Sequence, residues 1–197
     1  HRDLHSFPTR RSSDLSILVT FAGLFGDAWR VVSFSIYGST LILLYLFSTL
    51  YHAVTAPRAK AFLRILDHSA IFLLIAGTYT PYMLVTLNGA FGWTIFGLVW
   101  FVAVVGIVLN AFFMDRNKWL MLGLYIGMGW LVVVALGPLA EKLSFSGLLW
   151  VALGGFCYMS GVVFYVWHRL PYNHAIWHLM VLAGSVCHFF GILFYVA

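Results

Sequence analysis

Two histidines four residues apart, His174 and His178, stand in Asn173-His174-Ala175-Ile176-Trp177-His178, at the head of an apolar run that continues to Ala197. On a helix that spacing puts both imidazoles on one face, one turn apart. Ionisable side chains at membrane depth are costly and call for partners, and a helical His-x-x-x-His pair can offer two nitrogens to one metal ion. Two further stretches carry matching chemistry: Ser48-Thr49-Leu50-Tyr51-His52 and Asp67-His68. Ser48 and His52 are again four apart and share a face. Three neutral imidazoles with an open water position are a catalytic zinc set, which makes His52, His174 and His178 the candidate metal ligands. Asp67 can orient a ligand, take a proton from the water or ligate directly. Ser48 can donate a hydrogen bond beside it. His188 lies ten residues beyond His178, about 15 Å deeper on a straight helix. It is expected to hydrogen-bond within the bundle or line a cavity above the site. His68 and His168 read as interfacial polar groups.

The elements that must position these residues are membrane helices. Hydrophobic residues make up 62% of the 197-residue chain and charged residues 9%, against roughly 25% charged in a soluble domain; mean hydropathy is +0.96. These values describe an all-α integral membrane protein, with no loop long enough for a soluble domain. The formal charge of +5 is scattered through short loops and forms no stripe, which excludes nucleic acid as a partner and leaves membrane lipids. Cys157 and Cys187 fall within apolar helices and read as reduced, packed thiols.

His1–Leu15, HRDLHSFPTRRSSDL, is polar and unlike everything after it. It reads as a translated short-read sequencing adapter, set aside as a fusion scar would be, and the natural N-terminus is then expected to be missing. Removing Arg2, Arg10, Arg11, Asp3 and Asp14 leaves eight basic and four acidic residues. Residues 16–197 form a single transmembrane domain. Its start, Ser16–Phe25, is only ten apolar residues, about 15 Å of helix against a hydrocarbon core of ~30 Å. The expected architecture is a seven-helix bundle whose first helix is a stump, followed by six full spans.

Those spans are expected near 31–52, 67–87, 91–113, 119–136, 146–167 and 173–197, with Ala53–Leu66 a basic loop. Pro81 should kink the second of them, with Thr78 or Thr80 helping to satisfy the freed Gly77 carbonyl. Gly123, Gly127 and Gly129 allow close helix contact, Gly137-Pro138 should stop the fourth full span, and Asn173 is the expected N-cap of the last. Trp29, Trp93, Trp119, Trp150 and Trp167 fall near span ends, as an aromatic belt requires. Arg58, Lys60, Arg64, Arg116, Lys118 and Arg169 lie in the loops of one side, whereas the other side holds Arg30 and Lys142. The excess puts the first set in the cytoplasm and the C-terminus outside it. By alternation, the end carrying Ser48 and His52 is the end where Asp67, His174 and His178 begin.

Ser48-x-x-x-His52, Asp67-His68-Ser69-Ala70-Ile71-Phe72, Gly77-Thr78-Tyr79-Thr80-Pro81 and His174-x-x-x-His178-x9-His188 resemble the bacterial hemolysin III family. That family is the prokaryotic branch of the progestin and adiponectin receptor group, in a superfamily that includes the alkaline ceramidases. The resemblance covers essentially all of Ser16–Ala197. It implies a seven-helix bundle in a bacterial inner membrane with Zn2+ near the cytoplasmic end, held by His52, His174 and His178, with Asp67 and Ser48 beside them. The family's further motif before the first helix, a glutamate and a Thr-His-Gly, is replaced here by the adapter segment.

Three functions fit these residues. The first is a zinc-dependent hydrolase of lipid amides or esters, with Asp67 as general base and Ser48 assisting at the oxyanion. The second is a non-enzymatic membrane sensor or regulator with structural zinc, as resemblance to the receptor branch implies. The third is the cytolytic activity in the family name. No Gly-x-Ser-x-Gly motif offers a separate nucleophile, and the zinc motif alone names no substrate.

Overall fold

A computed structural model describes residues 28–113 and 117–196, with isolated positions at Ser16 and Thr20. His1–Leu15 and most of the expected stump Ser16–Phe25 lie outside the described residues, as does Arg116. Among the described residues every regular element is a helix. We number the helices α1 Ala28–Ala53, α2 Pro57–Pro81, α3 Ala90–Phe113, α4 Lys118–Trp130, α5 Val132–Lys142, α6 Phe145–Val166 and α7 Asn173–Tyr195. A π-helical segment, Tyr82–Thr86, prolongs α2. Among the described residues, six stretches are long and apolar enough to cross a membrane: Ala28–Ala53, Pro57–Thr86, Ala90–Phe113, Lys118–Lys142, Phe145–Val166 and Asn173–Tyr195. The chain is a multi-pass membrane protein.

Two compact units divide the chain between Leu131 and Val132. In the first, α2 packs on α1 and α3 around Phe34, Tyr37, Phe72, Met83 and Val99, all essentially inaccessible. Close approach is set at two glycines. A Cβ on Gly77 would collide with the Thr40 hydroxyl, and one on Gly106 would lie 2.5 Å or less from ring atoms of Phe72. Asn110, fully buried, ties α3 to α2 by donating from Nδ2 to the Ile65 carbonyl (3.0 Å) and to Ser69 Oγ (2.9 Å). In the second unit α6 and α7 run antiparallel, and Gly147, Gly154, Gly161 and Gly184 face Tyr195, His188, Met180 and Tyr158 across the seam.

Several local expectations are corrected. The second full span begins ten residues early, so Pro57–Leu66 is helix and only 54–56 remain as a loop. Pro57 occupies the first turn, where its missing amide costs nothing, and Ala59, Lys60, Ala61, Leu63 and Arg64 are good helix formers. Pro81 does perturb its helix, with the π-helical segment following it, but Thr78 and Thr80 bond the carbonyls of Leu74 (2.7 Å) and Ala76 (2.9 Å), not Gly77. The Lys118–Lys142 span breaks at Leu131 and runs on past Gly137-Pro138 to Lys142. Tyr79 stands at that break, its hydroxyl 2.9 Å from the carbonyls of both Met128 and Gly129. A Cβ added at Gly123, Gly127 or Gly129 would meet nothing within 4 Å among the described residues. Asn173 is the first residue of α7, and the N-cap is Tyr172 in the left-handed region at φ 60. Of the tryptophans near span ends, Trp29, Trp93, Trp119 and Trp167 are exposed and Trp150 is half-buried.

Candidate functional site

In the first unit the candidate residues gather where α1 ends and α2 begins. His52 closes α1 and is exposed, its ring 4.9 Å from that of Tyr51. Lys60, in the first turns of α2, reaches back so that Nζ lies 5.5 Å from the Tyr51 ring centroid, a cation–π distance. Asp67 is buried two turns farther along α2. Ser48 donates a side-chain hydrogen bond to the Asp67 carboxylate, so the hydroxyl is not committed to its own helix. Thr49 takes that backbone role instead, bonding the Tyr45 carbonyl at 2.7 Å. The carboxylate thus sits on the inner side of α2, oriented by a hydroxyl from α1. A buried carboxylate needs such a partner, because removing the charge from water is costly.

His68 commits one ring nitrogen to its own helix. Its Nδ1 donates to the Arg64 carbonyl at 2.9 Å and lies 3.6 Å from Asp67 Oδ2. Tyr125 on α4 donates to the His68 carbonyl (2.9 Å), and its ring packs on Phe72 (4.4 Å). His68 therefore belongs to the packing that holds Asp67 in place.

In the second unit, the first two turns of α7 bring the expected pair together. His174 Nε2 and His178 Nε2 are 3.1 Å apart, with the rings nearly perpendicular at a centroid distance of 4.6 Å. Two imidazole nitrogens on one tetrahedral zinc at Zn–N bonds of about 2.0–2.1 Å would be roughly 3.3 Å apart, so the spacing fits chelation with little adjustment. Trp177 packs at a tilt beside both rings, at 5.2 Å from His174 and 4.4 Å from His178, and Tyr165 on α6 braces Trp177 at 5.4 Å. The aromatic packing limits the rotamers open to the pair.

Deeper along α7, His188 is buried beside Tyr158 of α6, rings stacked at 5.4 Å and 27°. The expected hydrogen bond within the bundle is not made at Nδ1, which is buried and without a partner among the described residues. Tyr158 and Ser185 were not singled out from the sequence. Their oxygens are 3.1 Å apart, and Ser185 also donates to the Val181 carbonyl at 2.9 Å. The available signal was the spacing 174, 178, 181, 185, 188, a single stripe down one helix face. His168 lies in the turn after α6, its amide bonded to the Val166 carbonyl (2.9 Å). Cys157 and Cys187 are free thiols.

Comparison with known proteins places this arrangement. A family model described as "Haemolysin-III related" matches residues 6–189. The chain is 49% identical over 182 residues to Hemolysin-3 of Bacillus cereus, covering 92% of this chain and 83% of that protein. It is 48% identical over 181 residues to a Hemolysin-3 homolog of Bacillus subtilis, covering 92% and 85%. A more distant likeness, 29% over 177 residues, covering 84% of this chain and 71% of the relative, is to the human Monocyte to macrophage differentiation factor. With a family match across nearly the whole chain, six membrane-capable helices and close relatives of the same kind, the chain belongs to the haemolysin-III-related family.

Proposed function

We propose that His52, His174 and His178 hold one divalent metal ion, zinc by donor chemistry, and that the site hydrolyses a lipid amide or ester within the membrane. The observation that carries the reading is the 3.1 Å approach of the His174 and His178 nitrogens, a separation that suits two ligands of one ion. His52 is the third member of the candidate ligand set. It closes α1 on the end of the chain's alternation where α7 opens, and its joining the pair is part of the proposal. Three neutral nitrogen donors suit zinc or a neighbouring first-row metal. Such an ion would supply Lewis acidity and an acidified water. The protein's own part falls to two residues. Asp67 accepts and returns a proton, and Ser48, bonded to it, holds the carboxylate in one orientation and has a hydroxyl near the developing charge.

Elemental analysis of the purified chain tests the metal. About one equivalent of zinc per chain is expected, falling to background in His178→Ala and unchanged in His168→Ala. Incubation with a panel of N-acyl and O-acyl lipids, followed by detection of released fatty acid, tests the chemistry. Full metal occupancy with no release from any lipid would turn the reading to a metal-stabilised membrane sensor. A lytic reading is favoured by the name of the 49%-identical Bacillus cereus relative. Release of trapped dye from liposomes by the pure protein tests it, and intact liposomes would exclude it.

A further inference from the structure

The seam between α6 and α7 holds two thiols that the metal site does not use, and its packing fixes where they stand. A Cβ on Gly184 would lie 2.6 Å from the Tyr158 ring and 3.1 Å from the Gly154 carbonyl oxygen, and one on Gly154 would meet the His188 ring. The two backbones are therefore nearly in contact at these glycines. Tyr158 stands four residues beyond Gly154, and His188 four beyond Gly184. On antiparallel helices equal steps turn both side chains to one flank of the seam, and there the rings stack at 5.4 Å. Cys157 and Cys187 stand three residues beyond the same two glycines. Four residues overshoot a full turn by about 40° and three fall short by about 60°, so the cysteines share the other flank. With Gly154 level with His188, Cys157 is level with Ser185 and Cys187 with Gly155, a height difference of about 3 Å. A hydrogen bond joins the two thiols. Both are free and half-buried.

Thiols in contact across so close a seam are the starting point for a disulfide, which tolerates Cα separations of only about 4.4–6.8 Å. Depth selects the oxidant. Each cysteine is at least about 12 Å of helix from either end of its span, where hydrocarbon keeps out charged and water-borne oxidants. The acceptor must be lipid-soluble and take two electrons and two protons together, leaving no charge behind. Quinones do this. Leu153, one turn from Cys157 on the same flank, is exposed, so the flank reaches the surface of the helix pair.

We propose that Cys157 and Cys187 are a redox pair, oxidised by a membrane quinone to a disulfide that ties α6 to α7 in mid-membrane. Both S–H bonds break and one S–S bond forms. The two electrons and two protons pass to the quinone oxygens and give the hydroquinone. A dithiol reverses the step by thiol–disulfide exchange, itself becoming the disulfide. The bond braces the helix that opens with His174 and His178, and it forms whether or not a metal is held there.

The test uses the full chain, reduced, reconstituted in liposomes without oxygen and given decylubiquinone. Hydroquinone formed, maleimide-reactive thiols and intact mass are followed together. About one hydroquinone per chain is expected, with loss of both thiols and of two hydrogens in mass, all reversed by dithiothreitol. The oxidised chain should melt higher by roughly 5 °C or more. Cys157→Ser and Cys187→Ser should each yield less than about a tenth of the parent's hydroquinone. Cys157→Ser with Gly155→Cys restores two thiols at one height but moves one to the wrong flank, and it should yield equally little. A Cβ at Gly155 meets nothing within 4 Å, so that variant is expected to fold. Thiols that stay reactive in the parent, or equal hydroquinone from the parent and the Gly155→Cys variant, would overturn the proposal. So would a disulfide formed with copper–phenanthroline but not with the quinone, which is proximity without the redox partner. The parent's own hydroquinone yield keeps the test decisive should a variant fail to fold.

Discussion

Asp67 shows how a single side chain divides the hydrolytic reading from a structural one. Its carboxylate is buried and bonded by Ser48, an arrangement that suits a proton carrier as well as a group orienting a ligand. Asp67→Asn keeps the shape and removes the basicity. If Asp67 handles the proton, hydrolysis should fall by about 10²–10⁴-fold while zinc content stays near one equivalent. If it chiefly orients a histidine, metal affinity itself should drop by roughly 10–100-fold. Parallel zinc titration and lipid-hydrolysis assays on the same preparation separate the two. Ser48→Ala should be milder, about tenfold in rate, because a backbone or water donor can replace one hydroxyl. At this scale much was legible beforehand. His174 and His178 were marked by spacing alone, and Ser48 and His52 by the same four-residue step. The unpartnered Nδ1 of His188 and the bond of His68 Nδ1 to the Arg64 carbonyl were not legible, since both depend on which neighbouring atoms lie within reach.

Helix pairing turns on residues that have no side chain to offer. On α6, Gly154 and Gly155 are adjacent and chemically identical, yet a Cβ at Gly154 would lie 2.4 Å from the His188 ring, and one at Gly155 would meet nothing within 4 Å. Gly154→Ala should therefore destabilise the α6–α7 pair by about 1–3 kcal/mol through overpacking. Gly155→Ala should stay within about 1 kcal/mol of the parent, on the stabilising side where helix propensity acts. Thermal melts in a single detergent give the comparison, and equal effects at the two positions would refute the packing account. On α4, a Cβ at Gly123, Gly127 or Gly129 would likewise meet nothing within 4 Å among the described residues. Composition shows that a helix could approach Gly123, Gly127 or Gly129, but not that a partner does. Element boundaries failed for a related reason. The Arg, Lys and Pro of Pro57–Leu66 look like loop by charge, while their helix propensity and the proline at the first position favour an early helix start.

Across the whole chain, the proposed function depends on which ends of the helices share a membrane face, and alternation of the six membrane-capable stretches makes a definite prediction. If all six stretches cross, the loop before Pro57, the loop before Lys118 and the turn before Asn173 should share one side, and the turns before Ala90 and Phe145 the other. Arg58 and Arg169 should therefore be on the same face and Lys142 on the opposite one, with the first pair cytoplasmic by the bias of basic residues. The result is sensitive to the break at Leu131. If Lys118–Lys142 did not cross as one span, everything after it would invert, and His174 and His178 would open on the face away from His52. Single cysteines at Arg58, Lys142 and Arg169, in a background with Cys157 and Cys187 replaced by serine, can be probed in intact cells with a membrane-impermeant maleimide. Lys142→Cys should label in whole cells, and Arg58→Cys and Arg169→Cys only after lysis. Labelling of Arg58→Cys and Arg169→Cys from opposite sides would remove the shared face on which a three-histidine metal site depends, whatever the spacing within α7.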